Sequence, residues 1–172
     1  RLRDATAGSA GTAADEVMNT PNEQAFLALI RWSEGTAREP DPYRVCYGYR
    51  HVIADLRDHP KLTGEWLGEP LSDEMCRKAG LRPGCVSTAA GAYQLIAPTW
   101  RGIKARLRLP EFGPDSQDRA ALYLIEQCGA LEDVLEGRIQ TAVAKCAREW
   151  ASLPGSMSGQ PQRRKDDLLA VY

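Results

Sequence analysis

Thr20-Pro21-Asn22-Glu23-Gln24-Ala25-Phe26-Leu27-Ala28-Leu29-Ile30-Arg31-Trp32-Ser33-Glu34-Gly35 is the stretch on which the reading of this chain turns. Thr20 carries the hydroxyl of an N-cap, Pro21 suits the first helical position, where its missing N–H is not needed, and Glu23 stands where a capping box reaches back. Phe26, Leu29, Ile30 and Ser33 share one face at helical spacing, and Gly35 offers the left-handed position that closes a helix. The pattern predicts a helix whose last turn holds Glu34.

That is an awkward place for a negative charge. The partial negative charge of a helix C-terminus disfavours an ionised carboxylate by roughly 0.3–1 kcal/mol, less than about one pKa unit at about 1.36 kcal/mol per unit. Desolvation against Trp32 or another aromatic can shift a carboxyl by up to about 3–5 units, so burial outweighs the helix end if the site is a cleft. Both effects favour a protonated acid near neutral pH, the form that donates a proton to a glycosidic oxygen. The competing reading is a solvated helix-end glutamate with no task.

At 172 residues the chain suits one domain that needs neither metal nor disulfide to hold its core. Twenty-two basic and twenty-three acidic side chains give a net charge of −1 without a long like-charge run, so a nucleic-acid partner is not expected. Arg163-Arg164-Lys165 is followed at once by Asp166-Asp167 and reads as a solvated helix start. Nothing approaches the roughly 20 apolar residues of a membrane span, so no stable membrane insertion is expected, and a monomer is. The chain begins at Arg1 rather than methionine, as expected where an N-terminal piece is processed off or left out, and the export route is open.

Cys46, Cys76, Cys85, Cys128 and Cys146 make an odd count, so at least one thiol is expected free unless it pairs between chains. Cys76 and Cys85 flank a Gly- and Pro-bearing segment and are placed to close a small loop, which would suit an oxidising compartment such as the periplasm. The pairing among the five is otherwise open. Cys146 falls on the apolar stripe Ile139, Val143, Cys146, Trp150 and reads as a packed core thiol.

Residues 1–19, rich in Ala, Gly, Ser and Thr, read as a flexible leader or tether, and residues 20–172 as the domain proper. After a loop through Pro40 and Pro42, the alternation Tyr43, Val45, Tyr47, Tyr49 predicts a half-buried strand in a small sheet. An irregular excursion over 54–84 is expected to hold one helical turn from Asp73 to Lys78, and Val86 to Thr88 adds a strand. From Gly91 the pattern predicts helices: through Gln94 and Ile96, from Pro98 through Trp100, Ile103 and Leu107, from Ser116 through Ile125, from Arg138 to Leu153, and from Arg163 to Val171. The whole is an α+β, mainly helical arrangement in two lobes with a small β-sheet and a substrate cleft between them.

Metal hydrolysis is poorly supported, because His51 and His59 are the only histidines and neither lies in a ligand spacing; no metal or cofactor is expected. A Cys–His nucleophile would need a cysteine opposite one of these rings, and His59, before Pro60, reads as a solvated turn residue. The second informative stretch is Ser87-Thr88-Ala89-Ala90-Gly91-Ala92-Tyr93-Gln94-Leu95. Its small residues let backbone approach a ligand, while Ser87, Thr88, Tyr93 and Gln94 carry groups that hold polar sugars. Close helix packing is the alternative account.

Trp32-Ser33-Glu34-Gly35-Thr36, Gly48-Tyr49, the 87–95 stretch, Ser116-Gln117-Asp118, Gly129-Ala130-Leu131 and Trp150-Ala151-Ser152-Leu153-Pro154-Gly155 together resemble the lambda-type phage endolysins, in the same order over about residues 25–160. The resemblance implies a lysozyme-like fold and a lytic transglycosylase that cuts bacterial peptidoglycan between N-acetylmuramic acid and N-acetylglucosamine, for host cell lysis, in the periplasm. It makes Glu34 the catalytic acid, and it makes Tyr93 and Gln94, with Ser87 and Tyr49 behind them, saccharide contacts. A longer insertion around Cys76 to Cys85 and the absence of a tyrosine in Met157-Ser158-Gly159-Gln160 depart from the pattern. A hydrolytic muramidase would need a second carboxylate, for which Glu39 and Asp41 are the nearest candidates. A wall-binding module that holds glycan without cutting it is the alternative from another class.

Overall fold

The computed structural model describes residues 20–154; the expected leader over 1–19, the 157–160 departure and the helix over 163–171 lie outside the described residues. Helix α1 (Pro21–Glu34) is built as its sequence dictates: Thr20 Oγ1 accepts from the Glu23 amide, Glu23 Oε2 accepts from the Thr20 amide, and Gly35 at φ 84° donates to the Trp32 carbonyl. Its buried face carries Phe26, Leu29, Ile30 and Ser33, joined by Leu27 and Glu23.

Two 3₁₀ turns follow (Thr36–Arg38 and Pro42–Arg44), then α2 (Pro60–Thr63), β1 (Glu69–Pro70), α3 (Asp73–Lys78) and β2 (Val86–Ser87). The helical body is completed by α4 (Ala97–Leu107), α5 (Pro114–Gln127), α6 (Leu131–Leu135) and α7 (Ile139–Cys146). The sheet is one antiparallel pair with Glu69 opposite Ser87 and Pro70 opposite Val86. Cys76 and Cys85 are joined in a disulfide across a separation of 9 residues, a loop whose closure removes on the order of 3 kcal/mol of denatured-state entropy. Cys46, Cys128 and Cys146 are buried free thiols.

The core lies where α1, α4, α5 and the 90–95 segment meet. Trp100 and Phe112 pack edge to face at 4.7 Å, His59 stands 5.0 Å from Phe112, and the Trp100 indole donates to Asp58. No helix of the described residues is long and apolar enough to cross a membrane.

Four local expectations are corrected. The strand from Tyr43 to Tyr49 is reduced to isolated bridges, Val45 with Val52 and Cys46 with Ala90. Asp41 caps a 3₁₀ turn at its start, and left-handed backbone at Gly48 (φ 85°) and Tyr49 (φ 60°) reverses the chain at its end. Gly91 to Leu95 is a tight turn rather than a helix, closed by two hydrogen bonds between Ala90 and Leu95. Gly91 at φ 79° faces Gln117 so closely that a Cβ would collide with the amide oxygen, so glycine is required there. Helix α7 ends at Cys146 rather than Leu153, because the Cys146 carbonyl takes both the Glu149 and Trp150 amides and the chain turns to bring the Trp150 indole onto the Tyr93 carbonyl at 3.1 Å.

His59 is the fourth: it is fully buried, not solvated. Its Nε2 donates to the Leu95 carbonyl at 2.9 Å and its Nδ1 accepts from the Lys61 amide, an arrangement only the neutral ring can make. Burial holds its pKa below the ordinary histidine value, against the opposing pull of the Leu95 carbonyl and Asp58. The unfolded chain therefore takes up this proton first, so His59 leaves stability intact above about pH 6.5 and subtracts from it as pH falls until the folded ring itself protonates. The urea midpoint of the wild type is expected to fall more steeply than that of His59→Gln between about pH 7 and about pH 5; equal slopes would contradict this.

Candidate active site

Glu34 sits at the exit of α1, partly buried, with Gly35 turning the chain away immediately behind it. Desolvation raises its pKa above the ordinary glutamate value, and a hydrogen bond from the Ser152 hydroxyl pulls part of that shift back. Ser152 Oγ donates to Glu34 Oε1 at 2.6 Å and receives a hydrogen bond from Ser33 Oγ at 2.7 Å. The Ser152 side chain is delivered by the turn that follows α7. Shortening of that helix is therefore what brings it to the carboxyl.

The small-sheet lobe closes over the same point. Tyr49, half exposed and left-handed, donates its hydroxyl to the Glu34 carbonyl at 2.8 Å. Gly48 beside it lies against the Glu69 side chain, which pairs with Arg50, and Glu69 stands opposite Ser87 in the β1–β2 ladder. Glu34, Tyr49, Glu69 and Ser87 thus follow one another from the helix exit across the lobe. Ser87 Oγ is partly occupied in accepting from the Ala89 amide.

Gln94 occupies left-handed backbone (φ 51°) at the end of the 91–94 turn, with its amide donating to the Gly91 carbonyl at 3.0 Å. It borders a small hollow of about 130 Å³ with Ile96, Thr99, Glu149 and Trp150. Tyr93 is different, and the expectation of a saccharide contact there is corrected. Its side chain is fully buried, its hydroxyl donates to Asp118 Oδ1 at 2.5 Å and accepts from Arg31 at 2.6 Å, and Tyr43 donates to the same carboxylate. Burial raises the pKa of both Tyr93 and Asp118. No surface of that ring is left for a sugar.

Of the two second carboxylates considered for hydrolysis, Glu39 closes the Thr36–Arg38 turn with its amide donating to the Thr36 carbonyl, and Asp41 is tied up locally. Asp41 uses Oδ1 to cap the Tyr43 amide and Oδ2 to pair with Arg44 at 3.2 Å, and Glu69 is engaged by Arg50. For a cysteine nucleophile, burial pushes the Cys46 thiol up to about 12, while the His51 ring bonds Glu65 at 2.8 Å. Among the described residues no three His, Cys, Asp or Glu side chains gather as a metal site would require.

Sequence reasoning missed Ser152 and Glu69 as neighbours of the site. Ser152 lies within the Trp150–Gly155 motif, but nothing local indicates a partner 118 residues away. Glu69 had no signal beyond a Gly-Glu-Pro turn.

A mainly helical body with a minimal antiparallel sheet is the architecture of a lysozyme-like fold. The same fold is found in bacteriophage lambda lysozyme complexed with a chitohexasaccharide, at a TM-score of 0.74 and 34% identity over 90% of this chain and 94% of that one. A second structure of lysozyme from bacteriophage lambda matches at a TM-score of 0.70 and 32% identity over the same shares of the two chains. The endolysin of Escherichia phage P2 is 38% identical over 157 residues, 91% of this chain and 94% of that protein, and the endolysin of Escherichia phage lambda is 34% identical over 154 residues, 87% of each. The Endolysin family model matches residues 24–172. The chain belongs to the endolysin family of cell-wall-degrading phage enzymes.

Proposed function

We propose that the enzyme cleaves the bond between N-acetylmuramic acid and N-acetylglucosamine in periplasmic peptidoglycan as a lytic transglycosylase, with Glu34 as its sole acid and base. Glu34 gives its proton to the leaving glycosidic oxygen, and its carboxylate then takes the proton of the muramoyl C6 hydroxyl as that oxygen closes on C1. The product is a 1,6-anhydro sugar and no water is consumed. The observation that carries this reading is the desolvated Glu34 carboxyl at the exit of α1, with Asp41 and Glu69 tied to arginines and Glu39 closing the 3₁₀ turn behind Gly35, where a two-carboxylate glycosidase holds its pair about 5–9.5 Å apart across the bond.

Tyr49, Ser87 and Gln94 are the side chains we assign to the glycan, and the chitohexasaccharide bound by lambda lysozyme supports a polysaccharide ligand of this kind. Tyr93 acts from behind them, holding the Gln94 turn through Asp118 and Arg31. The test is the mass of the muropeptides released from purified cell wall. Fragments lighter by one water than reducing-end products are expected, and reducing muramic acid as the primary product would make the enzyme a hydrolase. Binding to wall without clearing permeabilised cells would make it a binding module.

A further inference from the structure

We propose that Ser152, backed by Ser33, is a positioning residue that dictates which oxygen of the Glu34 carboxyl carries the transferable proton. The inference rests on the reading of Glu34 as the acid. Ser33 Oγ donates to Ser152 Oγ at 2.7 Å, and Ser152 Oγ donates to Glu34 Oε1 at 2.6 Å. A hydroxyl has a single proton, so the one on Ser152 is committed to Oε1 while one of its two lone pairs accepts from Ser33. A proton on Oε1 directed at Ser152 would put two hydrogens between oxygens 2.6 Å apart, and relieving that contact means turning the Ser152 hydroxyl away and giving up its bond to Oε1. Oε1 is therefore the carbonyl oxygen of the acid, and the proton sits on Oε2.

The same polarity serves the second half of the reaction. Once Oε2 has delivered its proton to the leaving group, the Ser152 hydrogen bond becomes charge-assisted and stronger, stabilising the carboxylate that forms. Oε2, still unblocked by the serine, then removes the C6 proton and regenerates the acid. Glu34 begins and ends protonated, and neither serine gives up its proton. Ser33 is almost fully buried, so its hydroxyl meets Ser152 out of bulk solvent.

Two measurements on Ser152→Ala, Ser152→Thr and Ser33→Ala test this: the pH dependence of kcat, and the titration of Glu34 followed by carbon-13 NMR of its carboxyl. Losing a hydrogen bond that is stronger in the charged state should lower kcat on the order of tenfold with KM little changed in Ser152→Ala. It should also move the Glu34 titration and the alkaline limb of the profile to higher pH. Ser152→Thr, which keeps the hydroxyl, should restore both, and Ser33→Ala should shift them in the same direction by less. An unmoved Glu34 titration in Ser152→Ala, or a defect confined to KM, overturns the proposal. The titration does not require Glu34 to be catalytic: if it moves while Glu34→Gln still cleaves wall, the acid assignment fails and the role given to Ser152 falls with it.

Discussion

Glu34→Gln is expected to abolish release of muropeptides, lowering the rate by at least about 10²–10⁴-fold, the usual contribution of one positioned acid or base, while leaving the thermal midpoint unchanged. Glutamine keeps the shape of the side chain and an oxygen that can still accept from Ser152, so the packing at the end of α1 survives. What disappears is the proton. Because burial raises the Glu34 pKa, the wild-type enzyme holds the acid form further toward neutral pH than an ordinary glutamate would. Activity should fall on the alkaline side as that proton is lost. Cleavage retained by Glu34→Gln at any pH would remove the assigned acid.

Gln117→Met is expected to cost upward of about 3 kcal/mol of stability, because three backbone groups lose their partner at about 1–3 kcal/mol each. The fully buried Gln117 amide accepts from the Ala92 amide at 2.8 Å and donates to the Phe112 carbonyl at 2.6 Å and the Tyr43 carbonyl at 3.0 Å. It ties α5 to the 91–94 turn and to the 3₁₀ turn at Tyr43. Methionine matches its volume and length, so the polar loss is isolated from any cavity. A fall of about 6–12 °C in the thermal midpoint should follow for a domain of this size, with a larger share of the wall-cleaving activity lost as the Gln94 turn loosens. A variant as stable as the wild type would show that these backbone groups find other partners.

The parts of the fold that sequence made legible are those whose causes are local. The caps of α1 lie within sixteen residues of one another, and the helical turn over Asp73–Lys78 follows Ser72, whose hydroxyl accepts from the Met75 amide. Cys76 and Cys85 needed only a short Gly- and Pro-bearing loop to meet. Where prediction failed, a distant partner overruled the local pattern. Gly91 to Leu95 looks helical until Gln117 and the Val45 carbonyl claim its amides. Tyr93 looks like a groove residue until Arg31 and Asp118, 62 and 25 residues away, take its hydroxyl. His59 before a proline looks like a surface turn, yet Leu95 draws its ring inward.

The site divides in the same way. Glu34 was visible because a carboxylate at a capped helix end is an anomaly that needs no tertiary information. Its desolvation, the Ser152 bond and the Tyr49 contact come from segments 15 to 118 residues distant, and no periodicity encodes them.

A single carboxyl suffices only if the muramoyl C6 oxygen, not water, attacks the sugar. Digesting purified cell wall in oxygen-18 water and weighing the primary muropeptides tests this directly. Glu34 acting alone requires anhydro products with no heavy oxygen incorporated. Label appearing at C1 of the released muramic acid would mean that an activated water carries out the attack and that a second catalytic group operates beside Glu34.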